Sequence, residues 1–225
     1  MQEELLKDLN PEQRRAVETV DGPLLILAGA GSGKTKTLTH RIAYILATRR
    51  ATPFNILAVT FTNKAAGEMR SRVAHLLGQG SADRGFMPFM GTFHSICVRL
   101  LRRDGEAIGI AGNFIIWDET DRLAAVKQVS KELGINEKNY PPRLLTSLIS
   151  GSKNEMVSPA EFASTANTPA ARTAAKVYPA YEKALREASA LDFDDLISRT
   201  VELLSGQKEI RQKWPSCSSS RFLSS

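Results

Sequence analysis

Residues Leu24 to Thr35 read Leu-Leu-Ile-Leu-Ala-Gly-Ala-Gly-Ser-Gly-Lys-Thr, an uncharged apolar run feeding a glycine-rich turn closed by lysine and threonine. The run predicts a buried strand, and Leu38, Ile42, Ile45 and Leu46, at helical spacing, predict the helix that follows. A strand, tight turn and helix in that order make a cradle for nucleotide phosphates. Gly29, Gly31 and Gly33 carry no Cβ and tolerate positive φ, so backbone N–H groups can turn toward bound oxygens at the helix start. Lys34 is then expected on the β- and γ-phosphates and the Thr35 hydroxyl on Mg²⁺. The candidate nucleotide site is Ala28, Gly29, Ala30, Gly31, Ser32, Gly33, Lys34 and Thr35, with Lys34 and Thr35 as its catalytic residues. Ala28 stands where the strict motif has glycine. A glycine turn that only caps a helix is the plainer alternative, but Lys-Thr at this register has no turn-making purpose.

Composition narrows the class without naming it. The chain has 225 residues, 42% of them hydrophobic, enough for a sizeable core. Thirty basic against twenty-four acidic residues give a net charge of +6, compatible with a polyanionic partner but not a demand for one. Cys97 and Cys217 form neither a disulfide framework nor a zinc-type cluster, which fits a reducing cytoplasm. The first residues lack the basic and apolar regions of a secretory signal, and no apolar run reaches bilayer length, so no membrane partner is expected. There is no internal repeat, and oligomeric state is not legible.

Asn10-Pro11-Glu12-Gln13 predicts a helix start, with Asn10 as cap and Gln13 reaching back. Asn55 to Phe61 predicts a second buried strand, and Met69, Val73, Leu76 and Leu77 the helix after it. A polar loop spans Gly78 to Gly85, Phe89 to Phe93 predicts a third short strand, and Ile96, Cys97, Leu100 and Leu101 a further helix. This alternation implies an α/β fold with a parallel sheet. From about Asp118 the pattern is helical with no convincing strand: Leu123, Val126, Val129 and Leu133 mark one helix, and Leu144, Leu145, Leu148 and Ile149 another. Ser158-Pro159-Ala160-Glu161 is a capping box, and Pro179 starts or kinks the helix that carries Tyr181, Leu185 and Ala188.

Four segments beside the phosphate loop complete a set. They are Leu9 to Gln13, Thr60 to Ala66, Gly91 to Ser95, and Leu191-Asp192-Phe193-Asp194-Asp195-Leu196. In this order they closely resemble the N-terminal part of the UvrD/PcrA/Rep family of superfamily-one DNA helicases, from about Leu5 to about Trp214. The resemblance implies a P-loop RecA-like parallel sheet, here incomplete, with a helical insertion subdomain. Residues 1–117 would be the first part of domain 1A, 118–190 the insertion 1B, 191–214 the return to 1A, and 215–225 an aberrant serine-rich tail. It also implies an ATP- and Mg²⁺-dependent 3′-to-5′ helicase or translocase on single-stranded DNA or a single/double-strand junction, in cytoplasmic DNA repair or replication. Gln13 would bond the adenine edge, as a carboxamide can, although capping alone accounts for its position. Phe61 would stack on a base, against the plainer view that it ends a buried strand. Asn63, Lys64, Thr92 and His94 would contact the DNA backbone. Asp192, Asp194 and Asp195 invite a metal reading, but acids in front of an apolar helix are what its N-terminus favours, and we expect a helix start.

Where the family has a buried strand ending in Asp-Glu-x-x-Asp, this chain reads Trp214-Pro215-Ser216-Cys217-Ser218-Ser219-Ser220, so no such strand is expected and a frame shift or truncation is the expectation. Such a chain alone is expected neither to unwind DNA nor to hydrolyse ATP at a helicase's rate. Two alternatives remain at this point. Phe114 to Glu119 is an apolar run followed by Asp118-Glu119, which could complete a compact NTPase or kinase; and the chain could bind nucleotide or DNA without turnover, with poor solubility from uncovered sheet and apolar surface.

Overall fold

The structure is a computed structural model that describes residues 2–79, 85–214 and 221–224. The chain divides into two compact units, Met1–Ile96 with Arg211–Ser225, and Cys97–Ile210. The expected insertion 118–190 lies wholly within the second.

In the first unit, α1 (Gln2–Leu6) and α2 (Pro11–Glu18) precede α3 (Lys34–Ala47). The α2 start is built as its residues dictate: the Asn10 side chain accepts from the Gln13 N–H at 2.8 Å while Gln13 Oε1 accepts from the Asn10 N–H at 3.2 Å. After α3 come β1 (Ile56–Thr60), α4 (Asn63–Leu76), β2 (Met90–Thr92) and the first turn of α5 (Phe93–Asp104). β1 pairs in parallel with β2, Ala58 opposite Met90 and Thr60 opposite Thr92. The core joins Ile42 and Ile45 of α3 to Ile56 and Ala58 of β1 and to Met69 and Val73 of α4. The apolar periodicity of both helices is thereby satisfied by one sheet.

Two expectations are corrected here. Leu24 to Leu27 do not form a strand: Leu25 is 82% and Leu27 88% exposed, and the run joins neither sheet. A strand needs a ladder partner, and the run pairs with none of the strands of the first sheet, where β1 lies between β2 and β5 (Arg221–Ser224). That is the second correction, since β5 lies in the tail where no strand was expected. It pairs in parallel with β1, Ile56 opposite Arg221 and Val59 opposite Ser224. Residues 80–84 of the polar loop and 215–220 of the tail, Cys217 among them, lie outside the described residues.

The second unit carries the rest of α5, then β3 (Ile115–Ile116), α6 (Glu119–Glu132), α7 (Pro142–Asn154), α8 (Pro159–Thr165), α9 (Pro169–Glu187), β4 (Ala190–Leu191), α10 (Phe193–Gly206) and the start of α11 (Lys208–Lys213). Helix starts match their capping residues. Ser158 and Glu161 bond reciprocally at α8, and Asp192 and Asp195 do the same at α10. The apolar faces of α6, α7 and α9 meet in a core of Val126, Val129, Leu145, Ile149, Val177 and Tyr181. Contrary to the strand-free reading, β4 pairs in parallel with β3. α9 starts at Pro169, behind the Thr168 cap, rather than at Pro179, which lies inside it. Leu133 and Leu144, 47% and 41% exposed, stay outside the core their periodicity suggested.

Candidate nucleotide and nucleic-acid site

The residues between Ala28 and Thr35 form a compact turn. The Ser32 N–H and hydroxyl both donate to the Gly29 carbonyl, at 3.3 and 2.7 Å. Gly31 and Gly33 take φ of +77° and +81°, whereas Gly29 keeps negative φ, so two of the three glycines supply the left-handed backbone expected of all three. Gly33 is the N-cap of α3 and offers no capping side chain. The first-turn amides of α3, at Lys34, Thr35 and Lys36, lack intrahelical acceptors by helix geometry, and the helix dipole adds partial positive charge there. An oxyanion is the natural complement.

Lys34 and Thr35 are exposed, and the Lys34 ammonium donates to the Ala28 carbonyl at 3.2 Å, folded back over the turn. Gln13 reaches the same turn: its Nε2 donates to the Ser32 carbonyl at 3.0 Å. The side chain thus serves two functions in this structure, capping α2 through Oε1 and bracing the loop through Nε2. A Cβ on residue 33 would lie 2.7 Å from that Nε2, so the close approach of Gln13 requires glycine as much as the positive φ does.

The C-terminal ends of β1 and β2 lie side by side, Thr60 opposite Thr92. In parallel sheets this is the end where ligands bind. Phe61, directly after β1, is 86% exposed, not buried at a strand end as the plainer view had it. Thr62 caps α4 by accepting from the Ala65 N–H at 3.1 Å, and Asn63 and Lys64 are exposed on the first turn. Thr92 bonds locally, its hydroxyl accepting from the Ser95 N–H at 3.3 Å and its carbonyl from the Ser95 hydroxyl at 2.8 Å, and His94 is half-buried. Phe93, at the end of β2, is a second exposed ring, at 56%, that the sequence reading passed over. Its signal is its position one residue past the strand, as Phe61 is past β1.

The acidic segments act as helix caps. Asp118 accepts from the Thr120 and Asp121 N–H groups at 2.8 and 3.0 Å, and Asp121 returns a bond to the Asp118 N–H. Asp192, fully buried, accepts from the Asp195 N–H at 2.8 Å. Around it lies a cluster the sequence reading missed. The Lys153 ammonium of α7, 4% exposed, sits 2.7 Å from Glu182, 2.9 Å from Asp192 and 2.8 Å from Asp195. Burial alone would lower the lysine's pKa, but the charges of Asp195, Asp192 and Glu182 more than offset it and hold it above the usual range. Burial, with the like charges of Asp192 and Glu182, pushes Asp195 up to about 6 despite Lys153. For Asp192, burial works upward, yet Lys153 and the bonds from Asp195 and Tyr181 hold it below the usual carboxylate value. Arg122 completes the group at 2.9 Å from Asp194.

Comparison with known proteins bears on all of this. The chain is 48% identical to the ATP-dependent DNA helicase PcrA of Bacillus subtilis over 207 residues, covering 92% of this chain and 28% of that protein. PcrA of Staphylococcus epidermidis is 50% identical over 199 residues, covering 88% and 27%, and PcrA of Staphylococcus aureus 48% over 206, covering 92% and 28%. The chain therefore spans little more than a quarter of the length of these relatives. Residues 9–218 match the model of the UvrD/REP helicase N-terminal domain, and with that match over most of its length the chain belongs to this family of helicase N-terminal domains.

Proposed function

We propose that this chain is the ATP-binding part of an ATP-dependent 3′-to-5′ DNA helicase or translocase that engages single-stranded DNA, with a RecA-like 1A domain and a 1B insertion at residues 118–190. The observation that carries the reading is the uncapped start of α3 at Gly33, φ +81°, with Lys34 and Thr35 on its first turn and Gln13 bonded to the loop. The donor set fits a triphosphate and its metal. Orphan amides and an ammonium complement phosphate oxygens, and a hydroxyl beside them suits Mg²⁺, which takes oxygen ligands. Mg-ATP, when bound, supplies the phosphoanhydride whose hydrolysis drives movement on DNA. With nucleotide bound, Lys34 would exchange the Ala28 carbonyl for phosphate oxygens, Thr35 would hold the metal, Gln13 would give up its Ser32 contact to meet the adenine edge, and the glycine turn would fix the loop. The exposed Phe61 at the sheet's C-terminal end offers a sequence-independent stacking platform, with Asn63, Lys64, Thr92 and His94 toward the DNA backbone. The name of the PcrA relatives, as ATP-dependent DNA helicases, supports the same reading. The Asp118 carboxylate caps α6 through Oδ1, the ordinary role of an acid at a helix start, which favours this reading over a compact NTPase. Repair or replication is the setting we infer, in the cytoplasm; among the described residues no helix is long and apolar enough to cross a membrane.

The test is equilibrium binding of a fluorescent ATP analogue with Mg²⁺. Wild type is expected to bind saturably, and Lys34→Ala to bind at least about tenfold more weakly through loss of a charge-assisted contact. Equal binding by the two would refute the assignment of the loop.

A further inference from the structure

Away from the glycine turn, the first unit holds a cavity of about 480 Å³ whose lining contains no acidic side chain. Lys36 and His40 line it from α3, one turn apart, and Ser71, Arg72, His75 and Leu76 from α4, again one turn apart. Two of the chain's three histidines meet there. Lys36 lies about 200° around α3 from Lys34, at roughly 100° per residue, so the cavity and the glycine turn use different faces of the helix. The cavity's size is that of an ordinary small-ligand site.

The polar groups are poised to donate. The Leu5 carbonyl, 2.7 Å from His40 Nδ1, can only accept, so that nitrogen carries the proton. Lys36 donates to the Asp8 carbonyl and keeps two further N–H bonds. The ion pair of Arg72 with Glu68 is loose, at 3.9 Å, with both side chains about half exposed, and such a pair costs little to break. Leu76 and the alkyl stems of Lys36 and Arg72 give an apolar floor beneath these donors.

The geometry points to a second oxyanion site here, between α3 and α4, that takes a phosphate group. Arg72 supplies the forked, bidentate contact and Lys36 the point charge, with His75 and His40 at the sides. The phosphate belongs either to a small phosphorylated compound or to a nucleic-acid backbone. The site is independent of the nucleotide reading of the glycine turn.

The experiment is NMR of the histidine ring signals of the full chain titrated with inorganic pyrophosphate, and separately with a short oligothymidylate. Saturable shifts of His40 and His75 are expected with pyrophosphate, with His94 unmoved. They should persist in Lys34→Ala and require at least about tenfold more pyrophosphate in Lys36→Gln/Arg72→Gln at unchanged melting temperature. Arg72→Gln alone, at a side chain 54% exposed, serves if the double variant does not fold. Saturation by oligothymidylate at lower phosphate concentration would make the backbone the source, and saturation by pyrophosphate alone a small compound. Absence of saturable shifts in wild type, or their loss in Lys34→Ala, would overturn the proposal.

Discussion

Lys153 shows how one side chain can tie distant parts of a chain together. Its ammonium joins α7 to Glu182 of α9 and to Asp192 and Asp195 at the start of α10, residues 29 to 42 positions away. Removing it leaves buried Asp195 without its ion-pair partner and leaves Asp192 and Glu182 only the longer contacts to Arg122 and Arg199, at 3.8 and 3.4 Å, so Lys153→Met should destabilise the second unit by about 3–5 kcal/mol, read by urea unfolding. Asp195 makes a separate, pH-dependent prediction. Its folded pKa of about 6 exceeds the ordinary 3.8, so the folded state takes up the proton first and stability from this group grows as pH falls from 7 toward 4. Asp192 works oppositely, its lowered value costing stability as pH falls further. Unfolding curves at pH 7.5 and 5.0 should therefore show a gain at the lower pH that shrinks in Asp195→Asn; an unchanged pH dependence in that variant would contradict the assignment. The cluster was not legible as such. The available signal was a lysine in step with Leu145 and Ile149 on the buried face of α7, and nothing local says which acids fold against it.

At the scale of elements, what could be read was what is decided locally. The caps at Asn10, Ser158 and Asp192 each satisfy orphan helix amides with a side chain three residues away or less, and the structure forms all three. Asn10→Ala should accordingly cost about 1 kcal/mol in thermal unfolding. Pairing of strands is not local. Leu24 to Leu27 has a strand's composition, yet it pairs with no strand and stays outside the β2-β1-β5 ladder. β3 and β4, two residues each and 75 positions apart, carry too short a pattern to be found. The exposed run has a consequence for handling. Leu25→Lys/Leu27→Lys should reduce concentration-dependent self-association in light scattering, with a melting temperature close to wild type, since neither side chain is buried.

For the whole molecule, the family was legible because several short motifs occur in a fixed order, each tied to a strand end or helix start. The same ordering positions Phe61, Thr92 and the α4 start at one end of the first sheet. Activity is a different matter. The chain corresponds to about 28% of the PcrA relatives' length, and the second RecA-like domain that the resemblance implies lies outside the matched span. An arginine finger from such a domain is worth on the order of 10³–10⁵ in rate. Tested by themselves, these 225 residues are expected to bind nucleotide without the rate that such a finger adds, checked by phosphate release with and without single-stranded DNA.

The central claim is that the amides between Ala28 and Lys36 receive phosphate. Amide hydrogen exchange with and without a non-hydrolysable ATP analogue and Mg²⁺ tests it at the atoms concerned. The account predicts marked slowing at Gly31 to Lys36, absent in Lys34→Ala. Unchanged exchange there under saturating analogue, or protection confined to other segments, would contradict it.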